Sequence, residues 1–251
     1  MDLLSLSIIS LVAFLPSLIY MALIRNTERY EREPWFAVVR SFFAGASLGI
    51  VLAATLEFVA TNFYASSFTL LREYEFIARY RKSIDAIVLA AVIAPFIEEA
   101  TKAYGIFTSR RYVDEIEDGM VYGASSGFGF AATENLFYEI AALLRGGVVS
   151  WLMVSTIRSL SSALLHGSAT AMTGLGYSLK KFKKGSLLKG YLIAVGMHSS
   201  FNLIASIPII LKGMHELFYL VPLILAIFYG VMAFAYIRKK IRYYDRPPRR
   251  G

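Results

Sequence analysis

The sequence predicts an all-α membrane protein, a single bundle of about seven transmembrane helices. Hydrophobic residues make up 57% of the 251-residue chain and charged residues 18%, whereas soluble domains contain about 45–50% apolar and about 25% charged residues. Apolar segments of roughly 20 residues, the length that crosses a bilayer as a helix, recur along the chain. The period-two alternation that is typical of barrel strands is missing.

Seven segments are long enough to span a membrane. Three are nearly uninterrupted, at 3–24, 190–211 and 217–237, and four carry ionisable residues, at 35–63, 84–107, 119–144 and 148–179. The first segment lacks a basic stretch before it, so we expect it to stay on the mature protein rather than act as a cleaved signal peptide.

The basic residues predict the orientation of the bundle. Most of the Lys and Arg residues lie in alternate loops and in the tail 238–250, which places the N-terminus outside and the C-terminus inside. We therefore assign the net charge of +8 to membrane topology, with the lipid bilayer and no nucleic acid as a partner. The prediction is one polytopic domain over 1–251, a multi-pass protein of the cell membrane.

Several charged residues fall inside the predicted spans, where each costs several kcal/mol and needs a partner or a function. Lys102 lies four residues after Glu98 and three after Glu99, so on a helix it can neutralise one carboxylate. The other spans carry further polar residues at helical spacing, which are Glu134 with Asn135, Arg158 with Ser162 and His166, and His198 with Asn202.

Depth along the helices predicts that these residues meet. At about 1.5 Å of rise per residue, Glu99, His166 and His198 lie at similar depths, and Glu134 joins them if its helix begins near Tyr122. Two carboxylates and two imidazoles can hold a divalent metal such as zinc, or activate a water without one. They can also be structural polar pairs between helices, or the proton or ion path of a transporter.

Other hydrolase signatures are weak or missing. The H-E-x-x-H motif is absent, no cysteine is present, and Asp85 and Asp118 lie near the ends of segments. The stretch 123–127 matches G-x-S-x-G and with a histidine would imitate a serine protease. Because Gly and Ser are ordinary close-packing residues in membrane helices, we interpret this stretch as a packing surface.

The motifs Glu98-Glu99-x-x-Lys102, Phe130-x-x-x-Glu134-Asn135, His166 and His198-x-x-x-Asn202 lie in this order on successive helices. In this arrangement the chain resembles the PrsW-type intramembrane proteases, a branch of the superfamily that contains CAAX prenyl proteases and bacteriocin-processing enzymes. The acidic-Pro segment 31–35 also looks like the one after the first helix in PrsW proteins. The resemblance is strongest over residues 25–205.

The resemblance implies an intramembrane endopeptidase that hydrolyses peptide bonds of membrane-anchored proteins, which in bacterial relatives are anti-sigma factors. By the same resemblance, Glu98 or Glu99 would be the base that activates water. His198 and Asn202 would bind the scissile carbonyl as an oxyanion hole. Glu134 stands where CAAX-type enzymes carry a histidine, so their metal-free mechanism does not transfer unchanged.

Our mechanistic hypothesis is a metalloprotease. Glu134, His166 and His198 hold a divalent metal, expected to be zinc, and Glu99 or Glu98 joins them or deprotonates the bound water. Supporting roles are assigned to three residues: Lys102 holds the second carboxylate, Arg158 pairs with Glu134 or a helix-end carbonyl, and Asn135 lies beside them. The alternatives are the same protease with water activated by glutamate, a proton- or ion-coupled transporter, and an inactive scaffold.

Overall fold

The computed structural model describes residues 2–67, 75–210 and 215–245, and these residues form helices and turns without any strand. The all-α prediction is therefore confirmed for this part of the chain. In chain order the α-helices are α1 Leu3–Arg25, α2 Trp35–Ala44, α3 Ile50–Ser67, α4 Glu75–Val88, α5 Ala94–Ser109, α6 Asp118–Leu160, α7 Ser162–Lys181, α8 Leu187–Ile210 and α9 Leu220–Tyr244.

Five helical stretches among the described residues are long and apolar enough to cross a membrane. They are Leu3–Arg25, Trp35–Ser67, Asp118–Lys181, Leu187–Ile209 and Leu217–Tyr244. The stretch of α4 and α5 is not among them, and it carries several charged side chains, including Glu98, Glu99 and Lys102. The number of seven spans and the orientation of the termini stay predictions.

The stretch of α6 and α7 folds back on itself. Its 64 residues would extend about 96 Å as one helix, three times the thickness of a hydrocarbon core. Gly147, with φ 70° and ψ −167°, interrupts α6 where the sequence predicts the end of a span. The Trp151 indole donates to Glu139 Oε2 at 2.8 Å, which links the two halves of α6 as an antiparallel pair.

A second break divides the predicted span 148–179. Ser161 has φ −124° and ψ −77° and separates the end of α6 from α7. A Cβ atom on Gly230 would overlap the Ser161 carbonyl oxygen, so this break lies directly against α9. The predicted single helix is thus a short helical piece followed by α7, and the break between them lies against a distant part of the chain.

Close packing joins α6 to α7. A Cβ atom on Gly119, Gly123 or Gly127 would overlap a backbone carbonyl oxygen of α7, and the partners along α7 run in the opposite direction, from Gly174 through Thr170 to His166. Small residues at a spacing of four let the backbones of two antiparallel helices approach closely. This contact fixes the height of His166 relative to α6.

Two π-helical turns interrupt otherwise regular helices. Gly45–Gly49 joins α2 to α3, and Leu89–Ile93 joins α4 to α5 directly before the residues with buried charges. A π turn contains one more residue per hydrogen-bonded ring than an α turn, and it is frequent at functional sites. The carbonyl of Ala90 in the second π turn accepts a hydrogen bond from Asn202 Nδ2 at 2.7 Å.

Candidate active site

One face of α5 carries two glutamates and a lysine that are buried together. Lys102 has no exposed surface, and its Nζ donates to Glu98 Oε2 and Glu99 Oε1, each at 2.9 Å. The spacing of three and four residues brings the three side chains onto one face, as the sequence predicts. Lys102 contacts both carboxylates rather than one.

Two imidazoles from neighbouring helices complete the centre of this cluster. The rings of His166 on α7 and His198 on α8 lie 4.7 Å apart in an edge-to-face arrangement. Lys102 Nζ is 2.6 Å from His166 Nδ1, and since an ammonium only donates, Nδ1 is the acceptor. The hydrogen of the neutral His166 ring is then on Nε2, which lies 3.0 Å from Glu134 Oε2.

His198 has the opposite arrangement of its ring nitrogens. Nδ1 lies 3.0 Å from Glu99 Oε1 and donates its hydrogen to that carboxylate. In the neutral ring Nε2 then has the lone pair, and it is 3.9 Å from Glu98 Oε2. A carboxylate behind an imidazole fixes its tautomer and orientation, as it does for many metal-binding histidines. Glu99 is itself held by Thr170, whose hydroxyl donates to Oε2 at 2.8 Å.

Glu134 reaches His166 although α6 begins at Asp118, so the expectation of a helix start near Tyr122 was wrong. Depth along the helix axis does not include the direction in which the side chains point. Side chains lean toward the N-terminal end of their own helix, and since α6 and α7 are antiparallel, Glu134 and His166 lean toward one another. Thr170, one turn after His166, was also missed by the sequence analysis, although its spacing of four places it on the same face.

Arg158 compensates Glu134 as expected. Its Nη2 donates to Glu134 Oε2 at 2.8 Å, and its Nε donates to Asn135 Oδ1 at 2.7 Å. The cluster therefore holds three carboxylates and two permanent cations, Lys102 and Arg158, so its formal charge is −1 while both imidazoles are neutral.

A cavity of about 640 Å³ opens onto the cluster. Its polar lining consists of Glu57, Thr61, Glu98, Glu134, Tyr138, Arg158, Ser162, His166, His198, Asn202 and Ser206. Of the paired glutamates only Glu98 borders the cavity, while Glu99 is completely buried behind it. The structure thus distinguishes two residues that the sequence could not.

Glu57 lines the same cavity. This carboxylate was not among the candidate site residues predicted from the sequence, because it lies near the outer end of its predicted span. Its Oε1 is buried without a hydrogen-bond partner. Asn202 also lines the cavity, and since its amide has two N–H donors, its bond to Ala90 leaves one of them available.

The donor set suits a divalent metal. Atoms of Glu98, His166 and His198 lie within 4.8 Å of one another and offer one carboxylate and two imidazoles, which are common zinc ligands. Glu99 and Glu134, which the sequence placed among the ligands, instead contact the far nitrogens of the two rings. The ammonium of Lys102 bonds to Glu98 and His166 and so competes with a metal for both.

The G-x-S-x-G stretch contributes no nucleophile to this cluster. Ser125 is fully buried and its hydroxyl donates to the Val121 carbonyl at 2.7 Å, while Ser126 donates to the Lys102 carbonyl at 2.7 Å. Together with the glycine contacts to α7, these bonds agree with the interpretation of this stretch as a packing surface.

Comparison with known proteins gives a consistent result. The family described as "PrsW family intramembrane metalloprotease" matches residues 33–231. The chain is 27% identical over 208 residues to Protease PrsW of Clostridioides difficile (strain 630), covering 78% of this chain and 79% of that protein. It is 31% identical over 116 residues to Protease PrsW of Bacillus subtilis (strain 168), covering 45% of each. No solved structure matches the chain.

Proposed function

The chain belongs to the PrsW protease family and is a multi-pass membrane protein, and from this premise we propose that its Glu/His cluster is the active site of an intramembrane endopeptidase. The observation that carries the proposal is the convergence of Glu98, His166 and His198 on one cavity. The transporter alternative is not favoured, since both relatives are named as proteases. The substrate is a membrane-anchored protein, and an anti-sigma-factor-like protein stays a prediction.

Glu98 and His198 are the groups that act on water in this proposal. Glu98 borders the cavity, and the lone pair of His198 Nε2 lies 3.9 Å from its Oε2. A water between them donates one hydrogen to each, and Glu98 takes the proton as the oxygen attacks the scissile carbonyl. The protonated Glu98 then passes this proton to the leaving amine.

The other residues hold this pair in position. Glu99 orients His198, and Glu134 with Arg158 orients His166. Asn202 has one N–H left to bind the developing oxyanion. Lys102 compensates the charges of Glu98 and Glu99, since its ammonium bonds to both carboxylates.

We further propose that Glu98, His166 and His198 bind a divalent metal, expected to be zinc. The formal charge of −1 and the donor types of the cluster support this. The metal would activate the attacking water and polarise the carbonyl. The specific observation in favour of the metal-free form is the bond of Lys102 to two of the three donors.

Activity is tested by the identification of cleavage sites. The purified chain is reconstituted with a bacterial membrane extract, and new N-termini in single-span proteins are compared between wild type and Glu98→Gln, Glu99→Gln and Glu31→Gln. We expect the first two variants, if folded, to lose about 10²–10⁴-fold of the cleavage. Glu31 is an exposed carboxylate outside the cluster, so Glu31→Gln should cleave like wild type. Retained cleavage in Glu99→Gln would contradict the site assignment.

Metal content decides between the two forms of the mechanism. We expect about one zinc per wild-type chain and its loss in Glu98→Gln and His166→Ala, which remove ligands. Glu134→Gln should weaken zinc binding because it removes the carboxylate behind His166. A folded, active wild type without zinc would favour water activated by Glu98.

A further inference from the structure

A second group of buried carboxylates lies away from the Glu/His cluster. Glu28 and Glu33 in the loop between α1 and α2, and Asp118 at the start of α6, bring carboxylate oxygens within 4.8 Å of one another. Their exposed fractions are 1%, 4% and 1%. Asp118 precedes Glu134 by sixteen positions on α6, a distance of about 24 Å along the helix. The two groups are therefore separate sites.

Each of the three carboxylates is held in place by a donor from the chain. Glu28 Oε2 accepts from the Glu33 backbone amide at 3.1 Å, and Glu33 Oε2 accepts from the hydroxyl of Tyr122. Asp118 Oδ2 accepts from two backbone amides of the turn before α6. Because these bonds fix the side chains, the group has its shape before any ligand binds.

The remaining oxygens of the two glutamates are unsatisfied. Glu28 Oε1 and Glu33 Oε1 are buried without a hydrogen-bond partner, and such a buried acceptor costs about 1–3 kcal/mol, or more when it is charged. No ion pair to these carboxylates occurs within residues 2–67, 75–210 and 215–245. The nearby arginines bind backbone instead: Arg25 Nε donates to the Glu33 carbonyl at 2.7 Å and Arg32 Nε to the Glu28 carbonyl at 2.9 Å.

We propose that Glu28, Glu33 and Asp118 form a binding site for a hard divalent cation, Mg²⁺ or Ca²⁺. All the donors are oxygens, which these ions prefer, and imidazole or thiolate ligands that would select softer metals are not among them. The ion would supply a positive charge that no residue in the described part of the chain places on these carboxylates. It would also link the loop between α1 and α2 to the first turn of α6, independently of the proposed proteolysis.

The titration of the glutamates agrees with this assignment. Burial raises the pKa of Glu28 to about 9 and the pKa of Glu33 to about 10, and the neighbouring Asp118 adds to both increases. Without a cation these residues therefore hold protons near neutral pH. A divalent ion must displace those protons, so its binding should become tighter as the pH rises.

The test is thermal unfolding of the full detergent-purified chain, stripped with EDTA and then titrated separately with Mg²⁺ and Ca²⁺ at pH 8. The wild-type Tm should rise by about 5 °C or more when the effective ion reaches about 100 times its Kd. Glu33→Gln and Asp118→Asn should lose this rise, and Glu31→Gln, an exposed carboxylate in the same loop, should keep it. The rise should be smaller at pH 6.

Two comparisons separate this result from misfolding and from the catalytic cluster. In EDTA the Tm of Glu33→Gln should stay close to that of wild type, because Glu33 holds a proton there and the neutral Gln side chain has a similar shape. His166→Ala should keep the Mg²⁺ or Ca²⁺ effect, and Glu33→Gln should keep the zinc content of wild type.

The proposal is overturned if neither ion, at concentrations up to about 10 mM, shifts the wild-type Tm. An equal shift in Glu33→Gln and Asp118→Asn would overturn it as well. A Tm that rises on acidification, with no response to either ion, would show that this group holds only protons.

Discussion

Replacement of Lys102 by methionine tests the charge arrangement of the catalytic cluster most directly. The lysine side chain has no exposed surface, and its Nζ contacts Glu98, Glu99 and His166 at 2.9, 2.9 and 2.6 Å. Methionine has a similar length without the charge. The substitution therefore leaves two buried carboxylates without the cation that they share, and it creates no large cavity.

The size of the effect follows from this burial. Removing one partner of a buried ion pair costs about 3–5 kcal/mol, because the other charge stays buried without compensation. One kcal/mol corresponds to about 2–4 °C in a chain of this length, so the Tm should fall by about 6–20 °C. Lys184 is exposed, and Lys184→Met should leave the Tm nearly unchanged.

The detergent-purified variants are unfolded by heating, and far-UV circular dichroism monitors the transition. The double variant Lys102→Met/Glu98→Gln removes one negative charge together with the positive one, so it should recover most of the lost stability. A Tm of Lys102→Met within the error of wild type would refute the reasoning. So would a double variant that is no more stable than the single one.

Three further predictions follow from contacts described above. Zinc should bind more tightly to Lys102→Met than to wild type, because the competing ammonium is gone. Isothermal titration calorimetry measures the zinc affinity of both proteins, and weaker binding to Lys102→Met would mean that the lysine assists metal binding. Gly123→Ala should lower the free energy of unfolding by about 1–3 kcal/mol, since its Cβ would overlap the Thr170 carbonyl oxygen. Gly196→Ala should leave it unchanged, because no atom lies within 4 Å of a Cβ at that position. Thermal unfolding compares the two variants, and equal effects would contradict the close packing of α6 against α7. In EDTA, the free energy of unfolding should fall as the pH rises from about 4.5 toward 9 or 10, because the folded chain keeps protons on Glu28 and Glu33 that the unfolded chain has released. Glu33→Gln should flatten this pH dependence in unfolding experiments across that range. An unchanged slope in Glu33→Gln would argue against the assignment of the dependence to this residue.

The features predicted well from sequence are those that a membrane makes costly. Because a buried charge needs a partner there, Glu98, Glu99, Lys102, Glu134 and His166 could be selected without a structure. Their meeting point followed from helix spacing and depth, although the depth of Glu134 required the direction of side chains on antiparallel helices. The motifs within each helix are strong signals because each depends on residues that lie close together in the sequence.

What the sequence could not provide depends on contacts between distant residues. The break at Ser161 lies against Gly230 on another helix. Glu57 reaches the cavity only through the packing of α3 against the rest of the bundle. Likewise, Lys102 is within reach of both neighbouring glutamates by spacing alone, and only the positions of α7 and α8 place Glu98 at the cavity and Glu99 behind it.

The π-helical turn at Leu89–Ile93 makes the length of this segment matter more than its composition. Each residue added to or removed from a helix rotates everything beyond it by about 100°. A one-residue deletion that turned this π turn into an α turn would swing Glu98, Glu99 and Lys102 away from both histidines, even with every polar residue retained. A single-residue insertion or deletion in this segment should therefore be more damaging than the exchange of one apolar side chain for another.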